Sequence, residues 1–523
     1  MTRVAIVGAG FSGLGLAIRL RQQGERDFCV FDRGDEVGGT WRENSYPGAA
    51  CDVPSNLYSF SFAPNPDWSR SFSPQHEIQA YLRDCADRFG IRPHLRLGHE
   101  VRSATWDDAN ARWEIETSGG CHTADVLVSA RGPLSQPSIP DLPGLDNFAG
   151  TVFHSARWDH GHDLSGERVV IVGTGASAVQ IVPRIQPDVG HLVVLQRTPP
   201  WILPRHDRAL TAIEHQCFRA APAVQRAVRA AAYWARESYV LAFVGSPRRR
   251  RVLARVAVAT ARRQLSSQVA DPDLRQALTP RYELGCKRVL LSSDYYLALC
   301  QPNVELVTQP VTRVATHSIT TADGIERPVD TIVLGTGFDV TGSTGAWRIR
   351  GAGGRLLADA WAERPQAYKS TTVSGFPNLF LMVGPNSGLG HTSIVFVIES
   401  QIAYVLDTLA TMERRGVTSL DVLPVAQERW CRRVAERSRQ TVWTAGGCQS
   451  YYLDALGHNV AVWPGTSWRF RSALRRFDPE AYRIEYRGPA ASAHPAAAAG
   501  VTADDVTADD VTADGGRRDD VTA

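Results

Sequence analysis

Two copies of one glycine pattern constrain this chain more than any other feature of it. The first, Gly8-Ala9-Gly10-Phe11-Ser12-Gly13, follows an apolar run at residues 3–7 and leads into helical spacing over 14–23, after which a second apolar run occupies 28–31. Glycines so placed permit a tight turn and let a pyrophosphate approach the N-terminus of the following helix. The second copy, Gly173-Thr174-Gly175-Ala176-Ser177-Ala178, stands between an apolar run at 169–172 and a helix expected through Ile185, with a further strand expected at 192–195. Its third slot holds alanine, which the pattern tolerates. One such motif alone is a weak signal. Two of them, each in a strand–helix–strand context, imply an α/β chain with two Rossmann-like dinucleotide-binding domains.

The copies differ at the position that meets the adenosine ribose. Asp32 ends the second strand of the first unit and Arg197 holds the same place in the second, each 22 residues past the middle glycine. A carboxylate accepts hydrogen bonds from ribose hydroxyls and repels a 2′-phosphate, which suits the AMP half of FAD or NAD, whereas a guanidinium attracts that phosphate. FAD is therefore expected on Gly8, Gly10, Gly13 and Asp32, and NADPH on Gly173, Thr174, Gly175, Ala178, Arg197 and Thr198. A solvated surface role is the plain alternative for Arg197. A flavin beside a hydride donor makes a redox enzyme, but the fold does not choose among oxidase, reductase and oxygenase.

Composition removes other classes. A net charge of +3 on 523 residues gives no reason to expect a nucleic-acid partner. No uninterrupted apolar run reaches the ~18 residues of a membrane span, and residue 1 leads straight into a strand without the layout of a signal peptide, so no integral membrane segment and a cytoplasmic location are expected. The nine cysteines show neither CxxC nor CxxxxC spacing, which argues against a disulfide framework, structural zinc and dithiol chemistry; unpaired core cysteines are expected. Arginine fills almost every cationic position, and among 57 such residues only Lys287 and Lys369 are lysines, so each is a candidate for a role needing a compact ammonium.

Residues 207–284 are rich in alanine and arginine and read as a helical insertion interrupted at Gly245-Ser246-Pro247. Arg248 to Arg251 and later arginines are interspersed with apolar residues. This reads first as a solvated cationic face, and otherwise as a membrane-surface contact or a field steering NADPH. Strands resume at 304–307 and 331–334. From 488 the chain is rich in Ala, Pro and Asp and repeats Val-Thr-Ala-Asp-Asp at 501 and 506, too little apolar surface to offset ordering entropy, so 488–523 is expected to be disordered.

Residues 148–159, Phe-Ala-Gly-Thr-Val-Phe-His-Ser-Ala-Arg-Trp-Asp, satisfy FxGxxxHxxxW[PD] at every specified position. Gly38-Gly39-Thr40-Trp41, then Tyr46-Pro47-Gly48 and Asp52, satisfy GGxW…[FY]PGxxxD. On these signatures the chain resembles the type I Baeyer–Villiger monooxygenases. Gly285-Cys286-Lys287-Arg288, Asp294-Tyr295-Tyr296, Gly335-Thr336-Gly337-Phe338 and Gly375-Phe376-Pro377-Asn378 extend the likeness over about 1–205 and 281–480. The resemblance implies an FAD- and NADPH-dependent enzyme that uses a C4a-peroxyflavin to insert one oxygen atom of O2 beside a ketone carbonyl, giving an ester or lactone. It implies a discontinuous FAD domain (1–147 and 334–487), an NADPH domain (148–206 and 285–333) and the helical insertion at 207–284. It implies Arg288 as the active-site cation with Asp52 orienting it, and Lys287 and Arg288 on NADPH. Gly39, Thr40, Trp41, Asp52 and Tyr58 would border FAD, and His154 and Trp158 would stand at a hinge between the nucleotide domains.

Plainer readings stand beside these: Asp52 as a loop cap, Lys287 as a solvated cation, His154 as a structural histidine. Arg131 stands where the family commonly has a small residue or threonine, in a loop expected close to the flavin, and the sequence leaves open whether it alters the pocket or points outward. Competing activities are oxygenation of nitrogen or sulfur, or hydroxylation of an alkyl chain, by the same cofactors. Trp158 speaks against the first, since relatives of that kind usually carry Tyr or Phe there. A flavoprotein that senses redox state without turnover is a further alternative.

Overall fold

The computed structural model describes residues 2–339 and 348–486, so the tail expected to be disordered lies outside the described residues. Thr2–Val7 is an inner strand of a mixed eight-stranded sheet and pairs in parallel with Phe28–Phe31 on one side and Gly120–Ser129 on the other. All four residues of Phe28–Phe31 are buried, as a strand covered on both faces requires. Gly120–Ser129 carries two partners along its other edge: its first half runs antiparallel to Arg112–Thr117 and its last residues parallel to Leu379–Leu381. That last pairing returns the C-terminal part of the chain to the first sheet.

Helix Phe11–Gln22 is buried at nine of twelve positions. It is wedged between the sheet and helix Ile394–Arg415, so closely that a Cβ on Gly15 would stand 2.8 Å from the Phe60 ring and 2.9 Å from Ile402 Cδ1. Ile394–Arg415 starts at Ser393, whose Oγ accepts from Val395 N–H (3.2 Å), and stops at Gly416 in the left-handed region (φ +64°). Among the described residues it is the one helix long and apolar enough to cross a bilayer by length and composition, and 67% of that stretch is buried inside the fold. Its apolar character is that of a core helix.

The second sheet has five parallel strands in the order Val304–Val307, His191–Leu195, Arg168–Val172, Thr331–Leu334, Thr151–His154. Leu142, Leu145 and Phe148 pack on this sheet beside Val170 and Ile332, so the chain has crossed into the second unit before Leu142. The return crossing runs alongside the first: Ser138 N–H donates to Gly337 O (2.9 Å) and Thr336 Oγ1 to Ser138 O (2.6 Å). Between the strands lie the helices of the insertion, Ala212–Ala220, Pro222–Ser238, Pro247–Gln268 and Pro272–Ala277. Its expected break is real, with Gly245 at φ +108° and Pro247 opening the next helix.

One expectation about the cysteines fails. Cys286 and Cys448, 162 residues apart, form a disulfide, and Cys121, Cys217 and Cys300 are exposed rather than in the core. A pair this distant leaves no spacing motif, because only the tertiary fold brings its Cα atoms to 6.1 Å.

Candidate active site

The first glycine turn is shaped by backbone rather than by side chains. A Cβ on Gly8 (φ +112°) would stand 2.4 Å from Ala130 O, and one on Gly13 would stand 1.8 Å from Gly8 O. Gly10 lies against Gly39, whose Cα would be 3.5 Å from a Cβ on Gly10, so the first fingerprint and the Gly38-Gly39-Thr40-Trp41 segment border one groove. Helix Phe11–Gln22 has neither a side-chain cap nor an acid in its first turn. Its free amide groups thus face that groove, as a pyrophosphate site requires. Asp32 accepts from Ala9 N–H (2.7 Å), Gly34 N–H (2.8 Å) and Arg42 Nη1 (2.8 Å). A carboxylate offers about four lone-pair positions, so acceptor capacity remains for a ribose hydroxyl.

The second turn repeats this backbone with one relaxation. A Cβ on Gly173 (φ +109°) would meet Gly335 O at 2.6 Å, while Ala178 is fully buried and its methyl is accommodated. Thr174 Oγ1 donates to Thr198 O (3.2 Å), fixing the loop that carries Arg197. Gly175 is open, with nothing within 4 Å of a Cβ there, and helix Ala176–Ile185 again lacks a side-chain cap and a first-turn acid. Arg197 is exposed and Lys287 lies close by: burial, then the Arg197 charge, holds the Lys287 ammonium below the ordinary lysine value. Neither makes an ion pair among the described residues. Two cations without a carboxylate between them form a place for an anion such as a 2′-phosphate.

The Tyr46-Pro47-Gly48 turn joins the two halves. Tyr46 OH donates to Gln180 Oε1 (3.0 Å), Gln180 Nε2 donates to Ala50 O (2.9 Å), and a Cβ on Gly48 (φ +81°) would meet Gln180 O at 2.6 Å. This contact with the second-domain helix carries Asp52 to Arg288. Arg288 Nε and Nη2 each donate to an Asp52 carboxylate oxygen at 2.7 Å, a planar two-point pair with side chains 32% and 25% exposed. Asp52 thus reaches from its own loop to a residue of the other half of the chain. Burial alone would raise its carboxyl, but the Arg288 guanidinium, with Arg236 adding to it, holds it below the ordinary range. In return Asp52 raises Arg288 well above the usual arginine value.

Trp41 Nε1 donates to Tyr58 OH (3.1 Å), and the Tyr58 ring stands edge-on to Phe11 at the start of the first helix (5.1 Å). Burial pushes the Tyr58 hydroxyl well up, so it stays protonated. Thr40 is exposed beside them. His154 is buried at the end of its edge strand. Its Nδ1 accepts from Ala156 N–H (3.0 Å), burial depresses its pKa, and its ring meets Phe338 of the return crossing at 5.8 Å. It thus lies at the junction of the two units. Arg131 stands beside the first glycine turn. It adjoins Gly8 and senses Arg33 and Glu100 at the ribose end of the first site, where burial, then Arg33, pushes it down to about 10.

Sequence reasoning missed several contributors from the insertion and the C-terminal loops. Arg236 Nη2 donates to Asp52 O (2.9 Å). The next residue, Glu237, is buried and accepts from Ser467 N–H (2.6 Å), Ser467 Oγ (2.7 Å) and His391 Nε2 (3.1 Å). His391 Nδ1, Thr392 Oγ1 and Trp443 Nε1 are buried and have no hydrogen-bond partner. A Cβ on Gly390 would stand 3.2 Å from Trp443 Nε1, so the loop carrying His391 and Thr392 adjoins the short helix Val442–Ala445. Unsatisfied buried polar groups fit a polar planar ligand such as an isoalloxazine. In the sequence only a lone Arg-Glu pair in an alanine-rich helix hinted at Arg236 and Glu237.

A family model described as flavin-binding monooxygenase-like matches residues 1–211. A Baeyer–Villiger monooxygenase of Streptomyces coelicolor is 51% identical over 503 residues, covering 96% of this chain and 96% of that protein. Among solved structures, cyclohexanone monooxygenase from Rhodococcus sp. Phi1 bound to NADP+ is 29% identical with a TM-score of 0.81, covering 93% of this chain and 99% of its own. A complex of OTEMO with FAD and NADP is 26% identical with a TM-score of 0.83, covering 92% of this chain and 99% of its own. With two dinucleotide turns, an arginine–aspartate pair made between them and a relative matching almost end to end, the chain belongs to the Baeyer–Villiger monooxygenase family.

Proposed function

We infer that this protein is an FAD- and NADPH-dependent monooxygenase that converts a ketone to an ester or lactone, with one atom of O2 entering the product and the other leaving as water. The observation that carries the reading is the two-point Arg288–Asp52 pair, built from both halves of the chain. The bound flavin supplies oxygen activated from O2 after reduction by the nicotinamide. The chain's own residues must then hold charge in place and keep water out.

Arg288 is the group suited to that work. A guanidinium keeps its proton at any working pH and presents its N–H donors in a fixed plane. Two of those donors are committed to Asp52, which leaves Nη1 for the carbonyl oxygen that gains charge when the ketone carbon is attacked. Asp52 is a positioning residue, and Arg236 holds its backbone from the insertion. Gly8, Gly10, Gly13, Asp32, Gly39, Thr40, Trp41 and Tyr58 are assigned to FAD. Gly173, Thr174, Gly175, Ala178, Arg197, Thr198, Lys287 and Arg288 are assigned to NADPH.

The test is incubation of the FAD-loaded protein with NADPH, 18O2 and panels of ketones and sulfides. Ester carrying one labelled atom supports the reading. Sulfoxides without any ester would reassign the enzyme to heteroatom oxygenation, and no NADPH-dependent O2 uptake would leave a non-catalytic flavoprotein.

A further inference from the structure

The arginine-rich helix of the insertion, Pro247–Gln268, presents more than a charged face. It carries seven arginines and no acid. Arg250 is buried, donating to Gly245 O (2.7 Å) and Gln440 O (2.8 Å), and Arg250 and Arg251 share Glu283. Arg248, Arg249, Arg255, Arg262 and Arg263 are exposed and make no ion pair among the described residues. Between them apolar side chains stand in solvent: Val252 is 48% exposed, Leu253 45% and Val256 77%. Val252, Val256 and Ala259 fall on one helical face that Arg263 closes at its C-terminal end, Arg248, Arg255 and Arg262 follow one flank at seven-residue spacing, and Arg249 and Leu253 lie on the other. Leu241 (44% exposed) from the turn Tyr239–Ala242 joins Arg248, Arg249, Val252 and Leu253 around a shallow groove of about 430 Å³.

We propose that this face docks on an anionic phospholipid bilayer, with the valine strip entering the headgroup boundary and the flanking arginines on the lipid phosphates. The combination selects this occupant over the others. A solvated face or a field steering NADPH is served by the arginines alone and gives no reason for three apolar side chains at its centre. A second copy docked on the same face would set five uncompensated cations against five more. An apolar strip flanked by cations without acids is what binding to an anionic lipid surface uses.

The surface also backs on the reaction centre. Phe243, at the end of the Tyr239–Ala242 turn, packs against Gly285, which precedes Lys287 and Arg288. Apolar ketones partition into bilayers, so docking would bring the insertion to its substrate pool. That consequence rests on the ketone reading, whereas the docking does not.

The full-length, FAD-loaded protein is sedimented with phosphatidylcholine vesicles with and without phosphatidylglycerol. Partitioning roughly tenfold or more in favour of the anionic vesicles, weakened by salt, is expected from several arginines at a charged surface. The double substitution Val252→Glu with Val256→Glu should abolish it. The triple substitution Arg248→Gln, Arg255→Gln, Arg262→Gln should weaken it and flatten its salt dependence. Unchanged melting curves and turnover of a dissolved ketone without vesicles show that the variants are folded. Failure to pellet with anionic vesicles, or equal pelleting of the valine variant, overturns the proposal. So does a vesicle-independent dimer lost in the valine variant, which assigns the face to a second copy, or a raised KM for NADPH in the arginine variant, which assigns it to cofactor steering. Vesicle binding without any ester formation would leave the docking standing and remove the ketone reading.

Discussion

Replacing Asp52 by asparagine removes one charge and almost no volume, so a change in activity would report on the pairing with Arg288 rather than on packing. Arg288 Nε and Nη2 both donate to Asp52 at 2.7 Å. Asparagine keeps one acceptor oxygen, but its amide nitrogen only donates, so one of the two contacts is lost and two donors face each other. A hydrogen bond to a charged group contributes about 1.5–3 kcal/mol, and at ~1.4 kcal/mol per factor of ten the ester-forming rate should fall by about 10- to 100-fold. Because both side chains retain some contact with water, the cost to folding should stay below the ~3–5 kcal/mol of breaking a fully buried pair. The substitution leaves Arg197 and Lys287 untouched and disturbs only Arg288 among the residues assigned to NADPH, so NADPH oxidation should fall less than ester yield. The assay follows both in one cuvette, with product by gas chromatography. The pH dependence carries a sign of its own. A carboxyl held below its ordinary value contributes stability present above the unfolded pKa of about 3.9 and lost only as pH falls through the depressed value. The wild-type ester rate should therefore show no acid limb from Asp52 between about pH 5 and 8. An ester rate within about twofold of wild type, or NADPH oxidation falling in step with it, would refute the orienting role.

Arg197→Ala should raise KM for NADPH by about 10- to 100-fold, the range of a charge-assisted contact, with little change for NADH; equal loss for both nucleotides would count against a 2′-phosphate site. Since Lys287 is held below the usual lysine value, it loses its charge as pH rises through that depressed value, so kcat/KM for NADPH should decline at a pH below the ordinary ~10.4, and Lys287→Arg should remove the decline. Gly13→Ala, whose Cβ would stand 1.8 Å from a backbone oxygen, should destabilise the first turn by about 1–3 kcal/mol or more and release FAD, seen as loss of visible absorbance on gel filtration. Cys448→Ser, which opens a 162-residue link beside Arg288, should cost about 2–5 kcal/mol in denaturant unfolding, and identical curves with and without reductant would show that the bond does not form in solution.

What could be read from the chain alone was whatever short-range patterning encodes. Gly8 and Gly173 announce positive-φ turns because few other residues adopt them, and the strands at 28–31, 304–307 and 331–334 and the helix ending at Ile185 reflect local periodicity. The charge reversal between Asp32 and Arg197 is equally local, since it sits at a fixed distance from each turn. Asp52 and Arg288 were nameable through their motifs, but not the reason the first motif contains Tyr46-Pro47-Gly48: that turn rests on Gln180 of the other domain. The tertiary structure alone decided the Cys286–Cys448 bond, the place of Arg131 at the ribose end, the reach of Arg236 to Asp52 and the exposure of Val252 and Val256. Each depends on which distant segments pack together, and a residue's neighbours across a fold leave no periodicity in the residues beside it. The sequence determined the two nucleotide turns and the charge each offers; the packing of the insertion and the C-terminal loops around Arg288 determined what stands between them.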